Sequence, residues 1–317
     1  MDLRNLKVGV LGGGVSGERN ISLQSAQNVW QALQRNGFHA LFIDIVSSDY
    51  KTIAELMQRY MLDVAFIALH GAFGEDGEIQ HILDDLHIAY TGSGTQASHL
   101  AMDKILAKKV FQKANIPTPS FFVHSSQQAL PKISRYPAVI KPCASGSSLG
   151  VSIISQEAEI AAAFKEAFKY QQKVLIEEYI AGRELTVGIF DEKPLAIVEI
   201  IPKSGYYDFS AKYDDGKTDF IVPAKLSPPV YEHCQQVALA AHQALGCRHF
   251  SRVDLRLFHD ELPYVLEVNS IPGLTSHSLL PLCAASCGMS FDDLIIGMLT
   301  LALNDTSLLQ QCHETKT

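Results

Sequence analysis

No stretch of this chain is apolar for long enough to cross a lipid bilayer. The longest clear apolar run, Leu294–Leu303, has 10 residues, whereas a membrane-spanning helix needs about 20. The charged start Met1–Lys7 is not followed by the apolar segment of a signal peptide. We therefore expect no membrane insertion and no export, and we expect the protein to be cytoplasmic.

The chain is also short of basic residues. Lys and Arg number 26 against 34 Asp and Glu, which leaves a formal net charge of −8. Broad binding to a phosphate backbone needs the opposite balance, so no nucleic-acid partner is expected. A small anion could still bind in a locally basic pocket.

The six cysteines form no disulfide framework and match no common zinc spacing. Cys283 and Cys287, close to His277, are therefore interpreted as buried thiols on a helix. The hydrophobic content of 47% and charged content of 19% are typical of a soluble globular protein. A length of 317 residues predicts two or three domains.

Strands alternate with helices in the first third of the chain. A predicted strand, Lys7–Leu11, is followed by a glycine turn and a predicted helix, Asn20–Asn36. Such alternation predicts parallel βαβ units. The other elements predicted here are strands Ala40–Ile45, Asp63–Ala68 and Ile88–Tyr90 and helices Thr52–Tyr60 and Glu78–Leu86.

Two predicted hairpins indicate antiparallel sheets in the rest of the chain. Tyr136–Pro142 and Val151–Ile154 flank a loop rich in glycine and serine, and Arg252–Phe258 and Tyr264–Asn269 flank a short turn. The polar stretch Pro202–Phe220 predicts a lid or binding loop because long loops in compact domains are usually functional. Further predicted strands are Lys173–Glu178, Leu185–Phe190 and Leu195–Ile201, and further predicted helices are Thr95–Ala114, Glu157–Tyr170, Pro229–Leu245 and Phe291–Leu303.

Two glycine motifs imitate well-known sites. Gly12-x-Gly14-x-x-Gly17 matches the dinucleotide fingerprint, but Glu18 would place a carboxylate where the pyrophosphate should bind. We interpret these glycines as a close-packed turn and Glu18 as facing a cationic group. The segment around Ser148 matches a nucleophile elbow, but a strand follows where that motif requires a helix. A loop that covers a phosphate fits this segment better.

The second hairpin carries the strongest chemical signal. Side chains alternate along a strand, so Arg252 and Asp254 share one face, as do Glu267 and Asn269 on the partner strand. Two carboxylates and an amide offer the oxygen ligands that Mg2+ prefers. A surface ladder of ion pairs is the alternative, but both strands are otherwise apolar, and buried charges need a partner or a metal.

Charged residues at the ends of other apolar segments complete a candidate phosphate site. Lys141 interrupts a buried strand, and Lys104 lies early in a predicted helix. Together with Mg2+ these lysines could neutralise a triphosphate. Glu177 and the residues up to Ile180 could meet adenine, and Glu184 could accept hydrogen bonds from ribose hydroxyls.

The chain resembles the ATP-grasp superfamily and, within it, the D-alanine–D-alanine ligase family. The resemblance covers roughly Lys7 to Ala302, and seven blocks occur in the family's order. These blocks are 12–19 (GGGVSGER), 70–77 (HGAFGEDG), 90–94 (YTGSG), 102–104 (MDK), Lys141-Pro142 with 146–150 (GSSLG), Tyr207-Asp208 with 211–213 (AKY), and 267–278 (EVNSIPGLTSHS).

The resemblance implies an α/β fold with three domains. The expected architecture is an ATP-grasp fold, in which a Rossmann-like N-terminal domain precedes two α+β domains that sandwich ATP. The expected boundaries are 1–97, 98–183 and 184–306, with a catalytic lid at about 202–222 and a tail at 307–317. A homodimer is also implied.

The resemblance further implies roles in joining two D-alanine molecules for peptidoglycan synthesis. Glu18, with His70 nearby, would hold the first D-alanine, whose carboxylate ATP converts to an acyl phosphate. Arg252 and the Gly273 N–H would stabilise the oxyanion formed when the second D-alanine attacks. Ser278, Leu279 and Lys212 would bind the second substrate or the transferring phosphate, and Ser147 and Tyr213 would link the lid to Glu18.

ATP and Mg2+ are the expected cofactors. Asp254, Glu267 and Asn269 would bind two Mg2+ ions, for which Mn2+ could substitute. The residues implied to hold ATP are Lys104, Lys141, Ser148, Glu177, Glu178, Ile180, Glu184 and Lys212. Glu178 stands where many members of the family carry a lysine beside adenine.

Three alternatives to dipeptide formation remain at this stage. A ligase of the same family could use D-lactate or D-serine as the second substrate, although relatives that prefer D-lactate tend to have no tyrosine at the position of Tyr213. The other two alternatives are an esterase that uses Ser148 and a nucleotide sensor without catalytic activity.

Overall fold

The structure is a computed structural model that describes residues 3–144, 146, 148–203, 216–275 and 278–305. Its strands form three sheets, one of four parallel strands and two that are antiparallel. This mixed α/β architecture, with a parallel first third and antiparallel sheets after it, confirms the predicted fold class.

The N-terminal sheet has the strand order β2-β1-β3-β4. Because the chain leaves β1 towards β2 on one side and continues with β3 on the other, a crevice opens beyond the carboxyl ends of β1 and β3. The elements of this part are β1 (Lys7–Gly13), α1 (Arg19–Arg35), β2 (His39–Ile45), α2 (Tyr50–Tyr60), β3 (Val64–Ile67), α3 (Glu78–Asp85) and β4 (Ala89–Tyr90).

The predicted helix Thr95–Ala114 is two helices, α4 (Thr95–Met102) and α5 (Lys104–Lys113). The backbone of Asp103 is extended. Its carboxylate accepts hydrogen bonds from the backbone N–H groups of Ile105 and Leu106, at 2.8 and 3.1 Å. This N-cap starts a new helix at Lys104. The single-helix prediction was wrong because the apolar pattern continues through the break.

A second, antiparallel sheet has the order β5-β8-β6-β7. Its first strand, β5, was missed by the sequence analysis because it is short and lies between two proline-containing segments. The predicted helix Glu157–Tyr170 is also shorter than expected, with a 3-10 turn at Glu157–Glu159 before the α-helix. The elements are β5 (Phe121–Ser125), β6 (Ala138–Pro142), β7 (Ser152–Ile154), α6 (Ile160–Ala167) and β8 (Lys173–Glu178).

The third sheet is antiparallel in the order β11-β10-β9-β12-β13. Strand β11 overlaps the end of the predicted loop Pro202–Phe220, and its four residues pair with Glu199–Pro202. The elements are β9 (Arg183–Phe190), β10 (Lys193–Pro202), β11 (Thr218–Ile221), α7 (Pro228–Ala244), β12 (Phe250–Phe258), β13 (Leu262–Asn269), α8 (Leu279–Ser286) and α9 (Phe291–Asn304). The sequence places Ser290 three residues before Asp293 at the start of α9, which is a capping-box pattern, and the structure contains that capping box.

The hydrophobic core of the N-terminal sheet continues into the end of the chain. Buried residues of α8 and α9, among them Leu280, Leu294 and Met298, belong to the same apolar cluster as Val10 and Phe66. Within the described residues no single helix is long and apolar enough to span a membrane, and only the pair α8 and α9, bent by 104°, passes on combined length and composition.

A charged cluster links the N-terminal sheet to β12 and α9. The Gly92 N–H donates to His249 Nδ1 at 3.2 Å, and His249 Nε2 lies 3.2 Å from Asp305 Oδ2. Arg248 pairs with Asp305 at 2.9 Å and donates to the Gly92 carbonyl at 3.0 Å. Burial, together with the charge of Arg248, lowers the pKa of His249 to about 4. The folded protein therefore holds this histidine neutral.

We predict that His249 makes the folded state acid-sensitive. Its pKa in the unfolded chain is about 6.5, so below that pH the unfolded state binds a proton that the folded state does not. The stability is fully present above pH 6.5 and is lost as the pH falls towards 4, by at most about 1.4 kcal/mol per pH unit. The melting temperature of H249N should therefore fall less over this range than that of the wild type.

The matched control is H39N, which removes an exposed histidine from β2. Asparagine at position 249 still offers an acceptor for the Gly92 N–H. The main effect of H249N is therefore to remove the group that titrates. Equal pH slopes of the melting temperature for H249N and the wild type would contradict this role.

Candidate active site

The predicted acidic cluster forms on one face of the β12–β13 hairpin. Arg252 lies opposite Asn269 and Asp254 lies opposite Glu267, and a bulge after Asp254 shifts the register beyond this point. The four side chains therefore share a face, as the alternation predicted. Their register could not be read from the sequence because it depends on the bulge.

Asp254 is held from three sides. Arg252 donates to both carboxylate oxygens, at 2.9 and 2.8 Å, and the buried Thr186 hydroxyl donates to Oδ1 at 2.6 Å. The Asn269 amide donates to Oδ2 at 3.3 Å. Thr186 lies directly opposite Asp254 on β9. The sequence analysis missed this threonine because nothing in its own strand marks it as functional.

Lys104 joins this cluster to the rest of the site. Its Nζ lies 3.1 Å from Glu267 Oε2. Burial opposes the charge of Lys104, but the carboxylates of Glu267, Glu177 and Glu75 together more than offset this and raise the pKa of Lys104. The break at Asp103 places Lys104 at the first position of α5, where its backbone N–H also donates to the Cys143 carbonyl at 2.9 Å.

The donor set fits a hard divalent cation. Asp254, Glu267 and Asn269 together offer carboxylate and amide oxygens on one face, and Mg2+ usually completes such a set with substrate phosphates and water. Among the residues that the structure describes, no group of three or more His, Cys, Asp and Glu side chains is placed to hold a metal.

A cleft of about 1000 Å3, part of it open to solvent, lies beside this face. It is lined by residues from both antiparallel sheets and by the glycine-serine loop. Nine of the residues predicted to bind a nucleotide or metal lie around it: Lys104, Lys141, Ser148, Glu177, Glu178, Ile180, Glu184, Asp254 and Glu267. The structure thus brings together residues that are up to 163 positions apart in the chain.

The carboxylate of Glu177 is buried between two lysines. Lys141 Nζ lies 2.7 Å from Oε2, and Lys108 Nζ lies 2.9 Å from Oε1. Burial alone would raise the pKa of Glu177, but the two ammonium groups lower it, so the carboxylate stays charged. The side chain of Glu177 is therefore committed to these lysines. Glu178 next to it is exposed and accepts a hydrogen bond from Ser120 at 2.8 Å.

Arg256 also lines the cleft, although the sequence analysis did not predict it as a site residue. Its guanidinium donates to the Ile180 carbonyl at 3.1 Å and to the Tyr179 hydroxyl at 2.9 Å, and it pairs with Glu184 at 3.0 Å. The two-residue alternation along β12 places Arg256 on the same face as Arg252 and Asp254. That spacing was a signal in the sequence that could have identified it.

A second group of predicted residues lies beyond the carboxyl ends of β1 and β3. Glu18 is the N-cap of α1, but its side chain does not cap the helix. A Cβ atom at Gly71 or Gly146 would lie 2.6 or 2.7 Å from Glu18 Oε2. The backbone of the glycine-serine loop therefore approaches the Glu18 carboxylate closely, as only glycine allows.

His70 is fixed in this crevice by several elements. Its Nε2 lies 2.9 Å from Ser25 Oγ, and its Nδ1 lies 3.1 Å from the Ile271 carbonyl and 3.5 Å from Glu75 Oε1. Burial and the Glu18 charge raise the pKa of Glu75, although His70 opposes this. The sequence analysis includes Glu75 in the block 70–77 but assigns it no role. The structure places it beside His70 as a further titratable group in the site.

The segment that follows β13 carries the remaining predicted residues. A Cβ at Gly273 would lie 2.6 Å from Ser278 Oγ, so these two residues are in close contact. The Ser278 hydroxyl accepts from the Thr275 N–H at 2.9 Å. Leu279 is buried in the core, so only its backbone could contact a ligand. The Ser25 hydroxyl accepts from the Leu274 N–H at 3.2 Å, which ties this segment to α1.

Several predicted positions lie outside the described residues. They are Ser147, Lys212 and Tyr213, together with His277 and most of the lid predicted at 202–222. Their assignments stay predictions.

The structure also shows the surroundings of Ser148, of the Gly12 turn, and of Cys283 and Cys287. Ser148 lies in a loop between the antiparallel strands β6 and β7, so the nucleophile-elbow context is absent. A Cβ at Gly12 would lie 2.4 Å from the Ala26 Cβ, which confirms close packing of β1 on α1. Cys283 is buried on α8 as expected, but Cys287 is exposed because it lies just past the end of the helix.

Comparison with known families gives matches in both parts of the chain. The model described as D-ala D-ala ligase C-terminus matches residues 110–300, and the model described as D-ala D-ala ligase N-terminus matches residues 46–93.

Similar proteins cover nearly the full chain. The D-alanine–D-alanine ligase of Geotalea uraniireducens is 45% identical over 95% of this chain and 97% of its own length, and that of Halalkalibacterium halodurans is 41% identical over 94% and 99%. The crystal structure of D-alanine–D-alanine ligase from Bacillus anthracis complexed with ATP superimposes with a TM-score of 0.84 at 30% identity, covering 96% of this chain and 99% of that one.

We predict that the Thr186 hydroxyl contributes to divalent-ion binding by fixing Asp254. T186V keeps the shape of the side chain and removes one hydrogen bond to a carboxylate. We expect Mn2+ affinity, measured by electron paramagnetic resonance, to weaken about threefold to tenfold, which corresponds to about 1 kcal/mol.

The matched control is T300V, since the Thr300 hydroxyl donates to the Ile296 carbonyl at 2.8 Å within α9, on a different element from Asp254. An unchanged Mn2+ affinity in T186V would contradict the role of the hydroxyl.

Proposed function

This chain belongs to the D-alanine–D-alanine ligase family, and from that premise we propose how its residues carry out the reaction. The protein is an ATP-dependent ligase that joins two D-alanine molecules to D-alanyl-D-alanine for peptidoglycan synthesis. The observation that supports the assignment of roles is the single cleft in which lysines, carboxylates and the glycine-serine loop converge.

The proposal divides the reaction between two regions. We place ATP in the cleft between the two antiparallel sheets and the first D-alanine in the crevice at the N-terminal sheet. The domain boundaries that fit this division are 1–97, 98–183 and 184–306. A smaller cavity shares Lys104 and Glu267 with the cleft and is also lined by Glu75, Gly146 and Asn269, which supports transfer of phosphate between the two regions.

In the first step the γ-phosphate passes to the carboxylate of the first D-alanine. Lys104 and Lys141 line the cleft and supply positive charge to the phosphates. The backbone at Glu178 and Ile180 would hold adenine, since the Glu177 carboxylate is taken by lysines, and Glu184 would accept from the ribose. Ser148 would donate to a phosphate oxygen. The product of this step is an acyl phosphate with ADP.

We propose that Asp254, Glu267 and Asn269 hold two Mg2+ ions, for which Mn2+ can substitute. When bound, these ions neutralise the charge that develops on the transferring phosphate. In the structure, Lys104 pairs with Glu267 and Arg252 pairs with Asp254.

In the second step the amine of the second D-alanine attacks the acyl phosphate. Glu18 would hold the ammonium of the first D-alanine, and His70 would support that end of the crevice. Arg252 and the Gly273 N–H would donate to the oxyanion of the tetrahedral intermediate, which then expels phosphate. Ser278, the backbone of Leu279 and Lys212 would bind the second substrate, while Ser147 and Tyr213 would connect the lid to Glu18.

We further propose a cytoplasmic homodimer, which the family resemblance implies. Use of D-lactate or D-serine as the second substrate is less favoured, since Tyr213 is present and the relatives described above are named for D-alanine. An esterase is disfavoured by the strand that follows the Ser148 loop.

The assay that tests the function is phosphate release from ATP with and without D-alanine, with the product identified by mass spectrometry. We expect phosphate release that depends on D-alanine and yields the dipeptide. The same assay with D-lactate added as a competitor should give little ester at neutral pH. Preferred ester formation would contradict dipeptide synthesis, and phosphate release independent of D-alanine would favour a nucleotide sensor.

We predict that R252A lowers kcat far more than it weakens ATP binding. Removal of one oxyanion donor typically costs a factor of about 100 to 1000 in kcat, because its interaction strengthens only in the transition state. Steady-state kinetics should therefore show a large fall in kcat, with KM for ATP changed only a few-fold. Equal losses in ATP affinity and in kcat would argue against the oxyanion role.

A further inference from the structure

The mechanism above leaves one buried lysine without a role. Lys108 lies on α5, one turn after Lys104, and its side chain is 0% exposed. The sequence pattern shows it only as one of several lysines on an amphipathic helix. A fully buried lysine is rare and needs a specific partner.

Its main partner is the carboxylate already paired with Lys141. Lys108 Nζ contacts one oxygen of Glu177 at 2.9 Å, and Lys141 Nζ contacts the other at 2.7 Å. Two ammonium groups thus share a single carboxylate, and this leaves one positive charge in excess. Since Lys141 lines the cleft and Lys108 lies behind it, that excess charge is presented to whatever anion occupies the cleft.

A second contact connects Lys108 to the hairpin. Lys108 donates to Thr118 Oγ1 at 2.6 Å, and the Thr118 hydroxyl donates to the Val265 carbonyl at 2.8 Å. Val265 is on β13, two residues before Glu267. The Lys108 ammonium group therefore links β8, which carries Glu177, through Thr118 to β13, which carries the proposed metal ligand Glu267.

The stability of the fold does not by itself explain a lysine buried at this position. Burial of charged groups carries a desolvation penalty that their attraction does not always repay, and well-packed apolar residues often serve a core at least as well. A lysine on the buried face of α5 is better explained by what its charge does for a neighbour.

We propose that Lys108 is a positioning residue for ATP, which holds Glu177 in place and so keeps the charge of Lys141 available to the nucleotide phosphates. Without Lys108, Glu177 and Lys141 would form a neutral pair, and the attraction for an anion would weaken. The proposal rests on the proposed function in that it takes the nucleotide to be ATP.

If Lys108 acts in this way, ATP binding should depend on the protonation of Lys108 and therefore on pH. Burial lowers the pKa of Lys108 to about 8, although Glu177 opposes this shift. The charged groups that face Lys108 are Glu177 on β8, Lys141 on β6 and Lys104 on α5, and the two lysines add to the lowering. Lys108 therefore loses its charge as the pH rises through about 8, and ATP should bind more weakly above that pH.

The test measures equilibrium binding of ATP with Mg2+ by calorimetry, without D-alanine. We expect K108M to raise the Kd for ATP roughly tenfold at pH 7 while the KM for D-alanine stays within twofold. The matched control is K109M, which removes the exposed neighbouring lysine and should bind ATP as the wild type does. K108R, which keeps a cation, should restore part of the affinity.

A pH series separates positioning from a structural role. The wild type and K109M should lose ATP affinity between pH 7 and 9, whereas K108M should show little further loss. If K108M binds ATP like the wild type, or loses only melting temperature and active fraction, the proposal is overturned. If K108M does not fold, a wild-type Kd that is flat from pH 7 to 9 overturns it equally.

The outcomes for the two proposals differ. A wild type with no phosphate release dependent on D-alanine contradicts the proposed function, whatever Lys108 does for ATP binding. A wild type that makes the dipeptide, with K108M unaltered in ATP affinity, contradicts only the role of Lys108.

Discussion

The pairing of β12 with its two neighbours is the constraint on which the site depends. Because β12 lies between β9 and β13, Asp254 meets Thr186 on one side and Glu267 on the other. A shift of one residue would turn Asp254 into the apolar core and expose the residues that now fill it. The register of this sheet therefore determines whether the candidate metal ligands and Arg252 share a face at all.

Each buried carboxylate around that face is paired with at least one cation. Glu267 pairs with Lys104, Asp254 pairs with Arg252, and Glu177 lies between Lys141 and Lys108. Burial would raise the pKa of Glu177, but Lys141 and Lys108 lower it, so this carboxylate stays charged in a low-dielectric interior. The surplus of one cation beside Glu177 then favours a polyanion over a neutral ligand.

Much of the fold was predictable because the relevant signals are local. The alternation of apolar residues indicated β12 and β13, and Ser290 with Asp293 indicated the start of α9. The break at Asp103 and the short strands β5 and β11 were missed, since capping by one carboxylate and pairing with distant strands leave little trace in periodicity. Most of the described site residues were proposed from motifs, but Thr186, Arg256 and Lys108 were not.

The sequence alone determined the family and the residue types available for chemistry, because motif order and strand alternation are properties of the chain itself. The tertiary structure decided which of those residues meet. It committed the Glu177 carboxylate to two lysines, brought Glu75 beside His70, and buried Lys108 behind Lys141. These relations depend on packing between elements far apart in the chain, so no local pattern encodes them.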